Sequence, residues 1–124
     1  MRYVIVAALA ALLLVPSSAS SESYYAQAKR IINATFPDST QEAAMRVVSC
    51  ETGGSYSPWS YNRSSGATGY FQVLQGNAGR VLYYGGKRLV IPSGNKLFLP
   101  WTNARVGLFL SRGGTDWHEW VCQP

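Results

Sequence analysis

The sequence predicts a mainly helical α+β domain that contains a small β element and one disulfide bond. Three observations support this class. The 124 residues of the chain match the length of one domain. The composition, 47% hydrophobic and 14% charged, favours a folded core and excludes a disordered polymer. Helical patterns stand near both ends of the chain, and a segment rich in Ser, Tyr, Gly and Asn separates them.

The N-terminal segment predicts a secretory signal peptide over residues 1–19. Arg2 precedes an apolar run over residues 3–15, and Ser17 and Ala19 have the small-x-small spacing of a signal-peptidase site. The run is shorter than the about 20 apolar residues that cross a membrane, so a retained membrane anchor is only the alternative. We therefore expect residues 20–124 to form a secreted domain that acts outside the cell or at the cell wall.

Two cysteines in an exported protein predict one disulfide bond, between Cys50 and Cys122, and two unpaired thiols are the alternative. Closing a loop of about seventy residues contributes about 4 kcal/mol in the chain-entropy model. One histidine, His118, and two bridged cysteines do not make a usual zinc ligand set. We therefore expect no metal site and no cofactor.

Apolar residues at three- to four-residue spacing predict two helices in the first half of the domain. The first covers residues 23–36 and ends at Pro37. The second begins at Ser39, whose spacing to Glu42 fits a capping box, and ends at the glycine pair that starts with Gly53.

The middle of the chain predicts a loop followed by short elements. Residues 55–69 form the loop, residues 70–74 a short strand, residues 77–84 a short helix, and residues 85–99 an irregular hairpin or loop. A third helix is expected to follow Pro100, with Thr102 as its cap and the glycines at 113 and 114 as its end. Trp117 and Trp120 are expected to pack beside the disulfide.

Glu51 carries the functional prediction. It follows Val48 and Val47 by three and four residues, which places it on the helix stripe that faces the core. Partial burial and the C-terminal end of a helix dipole both raise the pKa of a carboxyl group, and a raised pKa makes a general acid usable near neutral pH. The alternative is an ordinary last-turn residue that faces solvent or pairs with an arginine.

Two segments resemble the signature of the SLT-type lytic transglycosylases and their lysozyme-like relatives. They are residues 47–54, VVSCETGG, and residues 62–73, NRSSGATGYFQV. Residues 103–107 and 114–122 resemble the ends of small secreted members, including resuscitation-promoting-factor-like domains. The resemblance covers residues 36–122, and it implies a lysozyme-like single domain that cleaves peptidoglycan.

The resemblance also implies roles for individual residues. Glu51 is the catalytic acid and then base, Gln72 is an amide that contacts the substrate, and Asn62 shapes the wall of the cleft. Thr52 stands where serine is commoner in the family, and its hydroxyl is expected to donate a hydrogen bond to the substrate. Strand alternation predicts that Tyr70 shares a face with Gln72, whose amide would offer both a donor and an acceptor.

Aromatic side chains in the middle loop are candidates for stacking on sugar rings. They are Tyr56, Trp59 and Tyr61. For Trp59, packing in the small core is the equal alternative.

Acidic residues are absent between Thr52 and Trp101. Retaining and inverting glycosidases need a second carboxylate, so a single-acid lytic transglycosylase reaction fits better. In that reaction the 6-hydroxyl of the sugar itself attacks, with Glu51 as acid and base. The alternatives are a hydrolytic muramidase, in which Asp116 or Glu119 reaches the cleft, and a module that binds wall glycan without cleaving it.

The formal net charge of +5 suits an anionic partner. Because the protein is expected to be exported and its basic residues are scattered, we expect peptidoglycan glycan strands rather than nucleic acid as the partner. We expect a monomer.

Overall fold

The computed structural model describes residues 21–124. These residues form three α-helices, two small antiparallel sheets and one disulfide bond, which confirms the predicted α+β class. The predicted signal peptide, residues 1–19, lies outside the described residues. Within the described range, every helix is too short or too polar to be a membrane span.

The helices are α1 (Tyr24–Thr35), α2 (Gln41–Glu51) and α3 (Pro100–Leu110). The Ser23 hydroxyl accepts the Ala26 N–H at 3.1 Å and caps α1. All three helices lie close to their predicted positions, and regular apolar spacing explains α1 and α2. The predicted cap at Thr102 is wrong: α3 begins at Pro100, after Leu99, so Thr102 lies inside the helix.

The predicted capping box at Ser39 is wrong. Residues 38–40 form a short 3₁₀ turn, and α2 begins after Thr40, which makes no side-chain capping bond. The Thr40 hydroxyl instead donates to the Gly113 carbonyl at 2.7 Å. A contact with a distant part of the chain thus replaces the local cap.

A three-stranded antiparallel sheet follows α2, in the order β1 (Tyr61–Asn62), β2 (Ala67–Thr68), β3 (Val73–Leu74). The predicted strand over residues 70–74 is therefore wrong in its first three residues. Residues 69–72 form a turn, in which Gln72 has a φ of 46°.

The second sheet is a hairpin of β4 (Val81–Tyr84) and β5 (Lys87–Val90), so the predicted helix over residues 77–84 is wrong. Gly85 and Gly86 connect the strands with φ values of 57° and 74°. Two residues with positive φ match the twist of a hairpin, and the run Val-Leu-Tyr-Tyr before them favours a strand.

A buried amide holds the 69–72 turn in place. The Asn103 side chain on α3 accepts the Phe71 N–H at 2.9 Å and donates to the Thr68 and Leu97 carbonyls at 2.9 and 2.8 Å. A Cβ on Gly69 would lie 2.4 Å from the Asn103 amide nitrogen, so only glycine fits there.

The core joins the three helices to this turn. The Phe71 ring lies 5.5 Å from the Phe36 ring and 6.0 Å from the Trp117 ring. Trp120 donates its ring N–H to the Phe71 carbonyl at 2.8 Å. Both tryptophans are buried, which confirms their predicted packing role.

The predicted disulfide bond between Cys50 and Cys122 is present, with 5.9 Å between the two Cα atoms. It ties the C-terminal segment to the last turn of α2. Glu51 therefore directly follows a disulfide-bonded cysteine.

We predict that Asn103→Ala lowers the free energy of unfolding by about 3 kcal/mol, because it leaves three backbone groups without their partner. Urea denaturation measures this change. Asn95→Ala removes an exposed amide and should change stability by less than about 0.5 kcal/mol. Equal effects of the two substitutions would contradict the role of Asn103.

Candidate active site

Glu51 lines an open groove with a volume of about 370 Å³. Asn62 and Leu74 of the three-stranded sheet form one wall of the groove, and the C-terminal residues Glu119 and Trp120 also line it. Gln72, from the turn before β3, lines the same groove. The structure therefore brings together the three residues to which the sequence assigned the main roles: the acid, the amide and the wall asparagine.

The Glu51 carboxyl group is half-buried at the C-terminal end of α2. Burial raises its pKa above the ordinary value, and a backbone hydrogen bond with Cys122 offsets part of that rise. None of the ion pairs among residues 21–124 includes Glu51. Relative to an exposed glutamate, the environment thus shifts this carboxyl group toward the protonated form that a general acid uses.

The Gln72 side chain is held by hydrogen bonds to nearby backbone carbonyls. Its side-chain N–H groups donate to the Ser60 and Gly69 carbonyls, each at 3.0 Å. Because both acceptors are carbonyl oxygens, the amide nitrogen is engaged and the amide oxygen is the group left for a ligand. The expectation that this amide offers both a donor and an acceptor is therefore corrected to an acceptor alone.

Asn62 is exposed in β1. Its side-chain oxygen accepts the Ser64 N–H at 2.9 Å, which orients the amide. The amide nitrogen remains as a donor toward the groove, so Asn62 and Gln72 offer complementary groups.

Tyr70 does not line the groove, so its expected place beside Gln72 is wrong. Its side chain is fully buried, and its hydroxyl lies 3.4 Å from the Gln27 side-chain oxygen on α1. Burial raises the pKa of the Tyr70 hydroxyl to about 12. Strand alternation fails here because residues 69–72 form a turn.

Thr52 and Tyr56, which the sequence placed at the substrate, are not among the residues that line the groove. The Thr52 hydroxyl is buried; it donates to the Val48 carbonyl at 2.8 Å and accepts the Tyr56 N–H at 2.9 Å. The Tyr56 ring packs edge-on against the Tyr25 ring, 5.0 Å away. Both residues hold the loop against the helices.

Trp59 is 64% exposed, so it does not fill the core. The Phe98 ring lies 5.9 Å from the Trp59 ring and also 5.9 Å from the Tyr61 ring. Tyr61 precedes Asn62 in β1, and consecutive strand side chains point to opposite faces. The cluster of Trp59, Tyr61 and Phe98 therefore does not share the Asn62 face of the sheet, and Trp59 is not among the groove residues.

Glu119 is a second carboxylate in the groove. Arg80 pairs with both of its oxygens, with N–O distances of 2.5 and 3.2 Å. Asp116 is not among the groove residues; its contact with the His118 ring lowers the pKa of the Asp116 carboxyl group. Of the two acids considered for a hydrolytic alternative, Glu119 is thus the one that reaches the groove.

The sequence contains a signal for Glu119. Cys122 is bonded to the residue before Glu51, so the residues just before Cys122 must run close to Glu51. Trp120 lines the groove for the same reason, in addition to its packing role.

The described residues contain no group of three or more His, Cys, Asp or Glu side chains that could hold a metal ion. The polar side chains that line the groove are two amides, two carboxyl groups, the Ser65 hydroxyl, which accepts the Ala67 N–H, and the Trp120 ring N–H, which is donated to Phe71.

Comparisons of the chain with protein-family models, with curated proteins and with solved structures found no match. The groove side chains therefore supply the basis for inferring function.

We predict that Glu51→Gln increases the free energy of unfolding, relative to the wild type, by more at pH 7 than at pH 4. Because its pKa is raised in the folded state, the Glu51 carboxyl group makes a contribution to stability that is lost as the pH rises above the ordinary value of 4.5, and the uncharged amide avoids this loss. Urea denaturation of both proteins at the two pH values measures the difference. A difference in unfolding free energy that does not change with pH would contradict the burial of an ionisable acid.

Proposed function

We propose that the protein is a secreted lytic transglycosylase that cleaves peptidoglycan, with Glu51 as its single acid and base. The observation that carries this proposal is the half-buried Glu51 carboxyl group in an open groove, outside every ion pair of the described residues. The sequence resemblance of residues 47–54 and 62–73 to the SLT-type enzymes supports the same function.

In the proposed reaction, Glu51 donates its proton to the glycosidic oxygen between N-acetylmuramic acid and N-acetylglucosamine. The bond between that oxygen and muramyl C1 breaks, with assistance from the N-acetyl group. The muramyl 6-hydroxyl oxygen then bonds to C1, and its proton returns to Glu51. The product is a 1,6-anhydro sugar, and no water is consumed. An intramolecular nucleophile has a high effective concentration, so a second protein carboxylate is not required.

The two amides have separate parts in this proposal. The Gln72 side-chain oxygen accepts the N–H of an acetamido group, and its engaged nitrogen keeps that oxygen in place. The Asn62 amide nitrogen donates to a sugar or acetyl oxygen of the same bound strand. Such paired contacts select N-acetylated sugars over plain hexoses.

Hydrolysis by a muramidase mechanism is the second candidate, because Glu119 lines the same groove. The Arg80 guanidinium engages both Glu119 oxygens, which leaves this carboxylate poorly placed to activate water. This pairing favours the transglycosylase. A module that binds wall glycan without cleaving it is the third possibility, and it gives no role to a half-buried acid.

A cell-wall location agrees with the disulfide bond, since disulfides persist in oxidising compartments. We propose peptidoglycan strands as the partner and the space outside the membrane as the location.

We predict that the secreted domain releases 1,6-anhydro muropeptides from purified peptidoglycan and that Glu51→Gln lowers this rate by about 10²- to 10⁴-fold. Mass spectrometry of the released muropeptides measures both results. Glu42→Gln, an exposed change on the same helix, serves as the control and should keep full activity. If neither wild type nor Glu51→Gln releases any product while both bind the wall, the protein is a binding module.

We further predict that Arg80→Met raises the share of hydrated products at least severalfold, because it frees Glu119 to act on water. The ratio of hydrated to anhydro muropeptides is the readout. Adding Glu119→Gln to Arg80→Met should restore the wild-type ratio. An unchanged ratio in Arg80→Met would show that the ion pair between Arg80 and Glu119 does not determine whether water or the muramyl 6-hydroxyl attacks C1.

A further inference from the structure

The groove continues beyond the Glu51 cleft. A middle depression of about 230 Å³ shares Gln72, Leu74, Glu119 and Trp120 with that cleft. A third depression, of about 340 Å³, shares Glu119 and Leu110 with the middle one. We call the third depression the far arm. The three depressions therefore adjoin one another through shared lining residues.

The far arm has a basic lining. Arg80, Arg112 and His118 line it, and Glu119 is the one carboxylate among its residues. Arg80 is already paired with Glu119, and His118 contacts the Asp116 carboxylate. Within residues 21–124, no carboxylate lies at salt-bridge distance from Arg112; Asp116, which is bonded to His118, is near enough to interact with it electrostatically but forms no ion pair with it. Arg112 is therefore the cation that a ligand can engage without breaking an existing ion pair.

The backbone at Arg112 points to a use for its side chain. The Arg112 N–H bonds to the Phe109 carbonyl at 3.2 Å and the Gly113 N–H to the Leu108 carbonyl at 2.8 Å, the pattern that ends a helix with a left-handed residue. Arg112 occupies that left-handed position with a φ of 50°, where glycine is usual. A long cationic side chain is thus held at a position where it costs stability.

We propose that the far arm binds the carboxylates of the stem peptides on the same glycan strand whose sugars occupy the Glu51 cleft, with Arg112 as the contact. This inference rests on the proposed function. The sugars supply neutral hydroxyl and acetamido groups, whereas the peptides carry free carboxylates on the strand itself. A guanidinium group pairs with a carboxylate through two parallel hydrogen bonds. The protein would therefore prefer peptide-bearing strands to stripped ones.

The experiment measures binding in a Glu51→Gln background, so that no strand is cleaved. The two probes are soluble uncross-linked peptidoglycan strands and the same strands after an amidase has removed their peptides. We expect the peptide-bearing strand to bind about tenfold more tightly, as for one charge-assisted contact. Adding Arg112→Gly should remove this preference and leave binding of the stripped strand unchanged.

Two controls separate this contact from other effects. Arg112→Gly suits the left-handed backbone, so urea denaturation should show a protein at least as stable as its parent. Arg88→Gln removes the same charge from the exposed β5 strand and should keep the preference for the peptide-bearing strand.

Several results would overturn the inference. They are an equal loss of affinity for both strands in Arg112→Gly, no change for either strand, or the same loss in Arg88→Gln. Equal affinity of the parent for both strands, together with anhydro products from the wild type, would overturn this inference and leave the proposed function standing. Binding of neither strand would overturn both.

Discussion

The backbone of Phe71 is the point on which the candidate site depends. The Phe71 N–H donates to the Asn103 side-chain oxygen, and the Phe71 carbonyl accepts the ring N–H of Trp120, a residue of the C-terminal segment. These buried bonds set the turn that gives Gln72 its left-handed backbone and aims its side chain into the groove. An unpaired buried amide is costly, so this arrangement has few alternatives. The sheet wall of the groove is thereby fixed to α3.

The disulfide bond supplies the second constraint. It places Cys122 against the end of α2, where the Cys122 backbone contacts the Glu51 carboxyl group and the preceding residues line the groove. The disulfide bond therefore keeps Glu119 and Trp120 beside Glu51, and it supplies the Cys122 backbone hydrogen bond that offsets part of the burial-induced rise in the pKa of Glu51.

The sequence was sufficient where local pattern decides structure. Regular apolar spacing predicts α1 and α2, and the spacing in α2 also predicts the half-buried Glu51. Two cysteines allow one pairing. The turn around Phe71 was beyond prediction, because Asn103 imposes it from 32 residues away. The strand prediction therefore placed Tyr70 on the same face as Gln72, whereas the turn buries its side chain. The β4–β5 hairpin, in contrast, has a local signal in Gly85 and the glycine after it, which a two-residue hairpin turn requires.

The groove combines Glu51, which has no ion pair within residues 21–124, with Glu119, which is engaged by Arg80, and this difference is the basis of our proposal of a reaction without water. Digestion of peptidoglycan in water enriched in oxygen-18 tests that claim directly. We expect anhydro products whose mass shows no oxygen-18, because in the proposed reaction the muramyl 6-hydroxyl is the nucleophile. Oxygen-18 at the new reducing ends would show that water attacks, and it would contradict the account.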